Sequence, residues 1–296
     1  MKKTKLIAAA FTPMDHAGEL RLSAIPEVVD FVLEQDVDGL FVCGSTGEFS
    51  SLSVLERMDV LAKYHDAIAG RTKIFAHVGS NSIQESRQLS KHAATLEVDA
   101  IAYAPPSYFR PADVGAVAEC LVQVAAAAPK TPLFYYHIPP LTGVNIRAID
   151  LLPIMAEQVP SFAGVKFSCT QMDDLARCVQ YDDRRYEMLF GADEMLLAGL
   201  ATGASGAVGS TYNFMTPYYR RVISAFEQGD MELAQREQSE ASHHVHRILK
   251  HGGMNAIKAT MNVAGPDCGP PRLPLQPLTE AQMQELGDEM RPILHP

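Results

Sequence analysis

A chain of 296 residues with 47% apolar content can bury a large core, and 20% charged residues without a long polar tract argue against extended disorder. A formal net charge of −10 argues against a nucleic-acid partner, because phosphate binding needs a concentrated basic surface. It leaves a small anionic substrate open, since backbone amides and hydroxyls can hold one. The chain starts with Lys2, Lys3 and Lys5 before an apolar run, which imitates a secretion signal. That run ends after six residues at Thr12-Pro13, too short for such a segment, and reads as a first strand.

Short apolar runs then alternate with longer amphipathic segments. The runs predict strands at 6–11, 39–43, 73–78, 100–104, 132–136, 162–167, 187–190 and 206–208. Helical patterns fill the gaps at 24–34, 53–69, 83–96, 113–127, 146–157, 172–180 and 194–201. Ser53 before Glu56 and Ser82 before Glu85 each predict a capping box. Eight strand–helix units of this spacing point to a (β/α)8 barrel, class α/β. A doubly wound sheet competes less well, because Thr12-Pro13-Met14-Asp15 lacks the glycines of a phosphate-binding turn. Beyond Ser210 the strands stop, and helices are expected at 217–228, 231–251, 255–263 and 279–291, with a proline-rich connector at 265–277. The expected organisation is a catalytic barrel over residues 1–212 and a C-terminal helical extension over 213–296, packed on it. No segment approaches membrane-spanning length. Five cysteines, odd in number and without metal-finger spacing, predict reduced thiols in a cytoplasmic protein.

In such a barrel the chemistry belongs at the carboxyl ends of the strands. After the second strand, Gly44-Ser45-Thr46-Gly47-Glu48 is either an anion cradle or an ordinary tight turn. The fifth strand ends in Tyr135-Tyr136, of which only one can face the barrel mouth, as a proton relay or a packing residue. The sixth strand carries Lys166 in an apolar run without a charged sequence neighbour. Burial would strip its proton near neutrality and make it a Schiff-base nucleophile; the alternative is a strand-end lysine with its head in water. The seventh strand leads to Asp193-Glu194, suited to sugar hydroxyls or to a helix N-terminus. His243, His244 and His246 cluster beyond the barrel without carboxylates at ligand spacing, so no catalytic metal is expected.

Together, Gly44-Ser45-Thr46-Gly47-Glu48, Tyr136 before x-Ile-Pro, and Gly164-Val165-Lys166 resemble the pyruvate-dependent class I aldolase family that includes dihydrodipicolinate synthase and N-acetylneuraminate lyase. The likeness covers nearly the whole chain. Where the synthases carry a carboxylate-gripping arginine two residues after the proline of the tyrosine motif, this chain has Leu141, which cannot make a bidentate clamp. Where the family often has an aromatic pair after Pro105, this chain has Pro106-Ser107-Tyr108. Residues 191–194 and 209–213 are similar instead to the sugar-binding set of the lyase branch, and 134–139, 189–191 and 269–274 resemble its animal type in particular.

The resemblance implies that Lys166 forms a Schiff base and that Tyr136 moves the proton. It implies that Ser45 and Thr46 hold the pyruvyl carboxylate, with Thr46 near Tyr136, and that Ser168, Gly191, Asp193, Glu194 and Ser210 contact the sugar chain. The expected reaction is cleavage of sialic acid to N-acetylmannosamine and pyruvate without a cofactor. Its alternatives are another 2-keto-3-deoxy sugar acid, or dihydrodipicolinate synthesis. The expected partners are small molecules, with no nucleic acid or membrane, in a homotetramer by family resemblance.

Overall fold

The computed structural model describes residues 3–295, so Lys2 lies outside the described residues. Eight parallel strands close into a barrel in chain order: β1 (Lys5–Ala9), β2 (Gly39–Val42), β3 (Lys73–His77), β4 (Ala100–Tyr103), β5 (Leu133–His137), β6 (Phe162–Phe167), β7 (Glu187–Phe190) and β8 (Gly206–Gly209). The crossovers carry α1 (Ile25–Glu34), α2 (Val54–Ile68), α3 (Ile83–Thr95), α4 (Val114–Ala127), a single turn α5 (Pro139–Thr142), α6 (Ala148–Gln158), α7 (Met172–Gln180) and α8 (Leu196–Thr202). Then follow α9 (Thr216–Glu227), α10 (Met231–Leu249), α11 (Met254–Ala264) and α12 (Glu280–Leu294). Among the described residues, no helix is long and apolar enough to cross a membrane.

The expected starts of α2 and α3 turn out differently. Ser53 makes the full reciprocal capping box with Glu56. Ser82 accepts from the Glu85 amide, but the Glu85 carboxylate takes the Ser80 hydroxyl at 2.5 Å, so only half of that box forms. A nearer donor won the carboxylate.

Strand side chains divide into two apolar layers. Ile7, Ala9, Phe41, Phe75, Ala102, Phe134, Tyr136, Leu189 and Val208 fill the barrel interior. Their alternates, among them Leu6, Leu40, Tyr135, Val165 and Phe167, pack between the barrel and its helices.

β6 breaks the simple alternation. Phe162 and Val165 both face the helix layer, which a two-residue period forbids. The register explains it. Leu133 pairs with Phe162 and Phe134 with Gly164, so Ala163 is an extra residue, a β-bulge. At Gly164 φ is +158°, and a Cβ there would lie 1.9 Å from the Glu187 carbonyl oxygen, so only glycine permits this close approach of β7. The bulge reverses the phase, turning Lys166 inward beside its register partner Tyr136. Without it, alternation from Phe162 would turn Lys166 towards the helices.

Candidate active site

Lys166 sits at the carboxyl end of β6 and is 4% exposed. Its Nζ lies 3.8 Å from the centre of the Phe41 ring and 3.9 Å from that of Tyr136. A desolvated ring face favours a cation by about 2 kcal/mol or more, still less than the hydration an ammonium loses on burial. Burial therefore wins and brings the amine down to about 7, opposed by the negative charge of Asp193. The unprotonated amine is therefore accessible near neutral pH.

Of the two tyrosines, Tyr136 faces inward and Tyr135 packs outward. Burial pushes the Tyr136 hydroxyl up to about 12, against hydrogen bonding from Ser45 and Ser168, so it is protonated at rest. Its oxygen lies 3.3 Å from Ser45 Oγ. Thr46 Oγ1 instead hydrogen-bonds Ser210 Oγ at 2.7 Å, so of the two loop hydroxyls it is that of Ser45 that meets Tyr136.

A cavity of about 540 Å³ shares Ser210 with this group, although Lys166, Tyr136, Ser45 and Thr46 are not among its lining residues. Ser168, Gly191, Asp193, Glu194 and Ser210 all line it, with Thr211 and the apolar Val245, Leu249 and Ile257 of α10 and α11. Asp193 and Glu194 differ sharply. Asp193 is buried, and its Oδ2 accepts the Thr211 amide at 2.9 Å and the Thr211 hydroxyl at 2.7 Å. Burial raises its carboxyl to about 6 despite those bonds and the charge of Lys166. A Cβ on Gly209 would fall 1.9 Å from Asp193 Oδ1, so β8 must carry glycine there. Glu194 is only partly buried and borders the cavity.

Leu141 is 63% exposed on α5 and does not line the cavity. Of the histidines, His77 reaches the site's floor, its ring centre 5.5 Å from that of Tyr136. Burial, with the charges of Arg57 and Lys166, holds His77 well below the usual imidazole range, so it is neutral. His243 and His246 each turn Nδ1 to the carbonyl one helical turn back. His244 does have a carboxylate near, contrary to expectation: Glu240 lies 3.8 Å away, one turn earlier.

Several residues here escape sequence reading. Phe41 sits on a predicted strand but carries no motif, and Thr211 enters only as part of the stretch 209–213, with no role of its own. Two more come from the tail. Lys258 of α11 donates to Glu48 Oε1 at 2.6 Å, and the Arg272 amide donates to Glu48 Oε2 at 2.7 Å. Glu48 adopts left-handed backbone, φ 55°, a conformation that costs a non-glycine residue about 1 kcal/mol. α10 also holds the seventh-strand loop, through Ser242 Oγ to the Glu194 carbonyl at 2.8 Å and Gln238 Oε1 from the Leu197 amide at 2.8 Å.

The arrangement supports a class of chemistry: an amine whose proton is weakened by burial, beside a tyrosine–serine pair and next to a cavity with both polar and apolar walls. Comparison with known proteins agrees. The family model described as dihydrodipicolinate synthetase family matches residues 2–292. The chain belongs to that family. It is 43% identical over 282 residues to N-acetylneuraminate lyase of Rattus norvegicus, covering 93% of this chain and 88% of the relative. Among solved structures, Proteus mirabilis N-acetylneuraminate lyase superposes with a TM-score of 0.94 at 33% identity, covering 99% of each chain. A catalytic lysine mutant of Ruminococcus gnavus sialic acid aldolase superposes with a TM-score of 0.92 at 30% identity, covering 98% of this chain and 95% of that one.

Proposed function

We propose that this chain is an N-acetylneuraminate lyase, cleaving N-acetylneuraminate reversibly to N-acetylmannosamine and pyruvate through a Schiff base on Lys166. The observation that carries this is the buried Lys166 amine, near 7, in a slot between two aromatic rings. The Ruminococcus gnavus aldolase with its catalytic lysine, at 30% identity, and the lyases at 33% and 43% support the same reading.

In the forward direction the Nζ lone pair attacks the keto carbon of the open-chain sugar acid. Loss of water leaves an iminium, whose positive nitrogen draws in, as the enamine double bond, the electrons of the bond between the α and β carbons. That bond breaks as the hydroxyl at its far end gives up a proton and becomes the aldehyde of N-acetylmannosamine. Tyr136 is the relay for this proton. Being protonated at rest, it accepts only while passing its own proton on, through Ser45 or the substrate carboxylate. The remaining enamine takes up a proton and is hydrolysed to pyruvate, freeing Lys166.

Ser45 and Thr46 hold the pyruvyl carboxylate, and Ser168, Gly191, Asp193, Glu194 and Ser210 receive the sugar chain along the cavity wall. The iminium serves as the electron sink, so no cofactor is invoked. Residues 1–212 form the catalytic barrel and 213–296 the extension packed on it. We extend the reading to a homotetramer acting in the cytoplasm; five free cysteines support a reducing compartment.

The test is an assay for pyruvate from N-acetylneuraminate, with borohydride trapping of added pyruvate. The expected results are pyruvate release and a reduced adduct on Lys166. Pyruvate released from another sugar acid but not from N-acetylneuraminate would sink the substrate assignment. An adduct elsewhere would sink the lysine's role.

A further inference from the structure

We propose that the C-terminal segment sets the grip of the Gly-Ser-Thr-Gly loop on a substrate carboxylate, with Lys258 and Arg272 acting as positioning residues through Glu48. This rests on the proposed role of Ser45 and Thr46.

Glu48 closes that loop, and its carboxylate is 4% exposed. Both of its oxygens are claimed from far along the chain: Oε1 by Lys258 Nζ, 210 residues away, and Oε2 by the Arg272 amide, 224 residues away. Lys258 donates a second bond, to the Thr12 carbonyl at 2.9 Å, while the Thr12 hydroxyl donates to the Gly47 carbonyl at 2.8 Å. The lysine thus fixes Gly47 and Glu48 from two sides. The Glu48 amide in turn donates to the Ser45 carbonyl at 3.0 Å, joining the anchored end of the loop to the residue beside Tyr136. Arg272 is itself held, by the carbonyls of Gly18 and Ser51 at 2.8 Å and by Glu56 in the first turn of α2 at 2.7 Å.

A buried ion pair is a poor way to gain stability, since well-packed apolar residues often do as well or better. Its distinctive property is directional. Two fixed donors hold a left-handed glutamate and the hydroxyl-bearing residues before it in one geometry. Lys258 and the Arg272 amide reach the loop through Glu48 and Thr12 rather than through Ser45 or Thr46, so both act at one remove from the groups proposed to hold the substrate.

The experiment titrates borohydride trapping on Lys166 with pyruvate and, separately, with methyl pyruvate, which keeps the ketone and lacks the carboxylate charge. Lys258→Met, checked for folding by circular dichroism, should need about tenfold more pyruvate for half-trapping, the scale expected when a binding group shifts by a fraction of an ångström. Its methyl pyruvate titration should change by less than about twofold. Glu48→Gln preserves shape and carries the test if Lys258→Met does not fold; it should weaken pyruvate selectively, by about threefold. Equal weakening of both ketones, or an unchanged pyruvate titration, overturns the proposal. Failure of the unmodified protein to trap pyruvate on Lys166 would instead overturn the proposed function.

Discussion

Among the described residues two lysines are almost fully buried, Lys166 at 4% exposure and Lys258 at 2%. Lys258 meets a carboxylate at 2.6 Å and a carbonyl at 2.9 Å. Lys166 meets the faces of two aromatic rings. Burial lowers both amines, but at Lys258 the adjacent Glu48 charge works against it directly, through contact. At Lys166 the opposing charge is that of Asp193, which makes no salt bridge to it, and the amine falls to about 7. The difference is one of partners, not of depth. A contacting carboxylate favours the charged amine, whereas a buried lysine set among rings gives up its proton more readily and can serve as the nucleophile proposed above.

The sharpest break of this comparison is Lys166→Ala. Steady-state cleavage should fall by about 10³-fold or more, with no borohydride adduct, while Lys258→Met retains the adduct at saturating pyruvate. Next is Tyr136→Phe, which keeps the ring over Nζ and removes the hydroxyl. The predicted effect is a loss in kcat of about 10²-fold, within the range of one positioned proton relay, with trapping of pyruvate preserved. A Tyr136→Phe enzyme with normal kcat would leave Tyr136 as packing only.

Stability should separate the two lysines by sign. Lys166 titrates near 7 in the folded chain and 10.5 when free. Between those pH values the unfolded chain holds a proton that the folded chain has shed, so this group's contribution to stability rises with pH across that window. Below about 7 the folded state keeps a buried ammonium, and the full penalty stands. Lys166→Met removes the penalty and should raise Tm at pH 6 by a few degrees, corresponding to about 1–2 kcal/mol. Lys258→Met leaves the buried Glu48 without its cation and should cost about 3–5 kcal/mol. Denaturation monitored at pH 6 and pH 9 checks both, the gain from Lys166→Met shrinking at the higher pH.

Most of the barrel was legible because its signal is local. Each strand is a short apolar run with turn residues after it, and all eight expected runs overlap β1 to β8. The residues singled out at the strand ends converge on one mouth, because in a parallel barrel every strand finishes at the same end. What stayed hidden was non-local. The extra residue Ala163 leaves no mark in the sequence, yet it decides that Lys166 faces inward. Glu48 carries the family motif, but nothing near it announces a partner 210 residues on. Asp193 and Glu194 look equivalent side by side; only Thr211, reached through β8, makes one a locked, buried carboxyl and leaves the other at the cavity wall. Ser82 and Glu85 matched a capping pattern that Ser80 pre-empted.

Asp193→Asn offers the smallest and most specific effect. The aspartate charge favours protonated Lys166, opposing burial, so removing it should lower the lysine further and move the acid limb of pyruvate trapping to lower pH by a fraction of a unit. Asparagine can still accept from the Thr211 amide and hydroxyl, keeping the turn in place. Pyruvate is the right probe, because the sugar chain that Asp193 is proposed to contact is absent from it. The sign depends on pH in a way that excludes a packing defect. Asp193 itself titrates near 6, so above that value the normal protein carries the charge and the variant does not. Below it both carboxamide and protonated carboxyl are neutral. The variant should therefore trap pyruvate faster between about pH 6 and 7.5, and the two profiles should converge at pH 5. Profiles displaced by a constant factor across the whole range would mean that Asp193 shapes the site without being felt as a charge by Lys166.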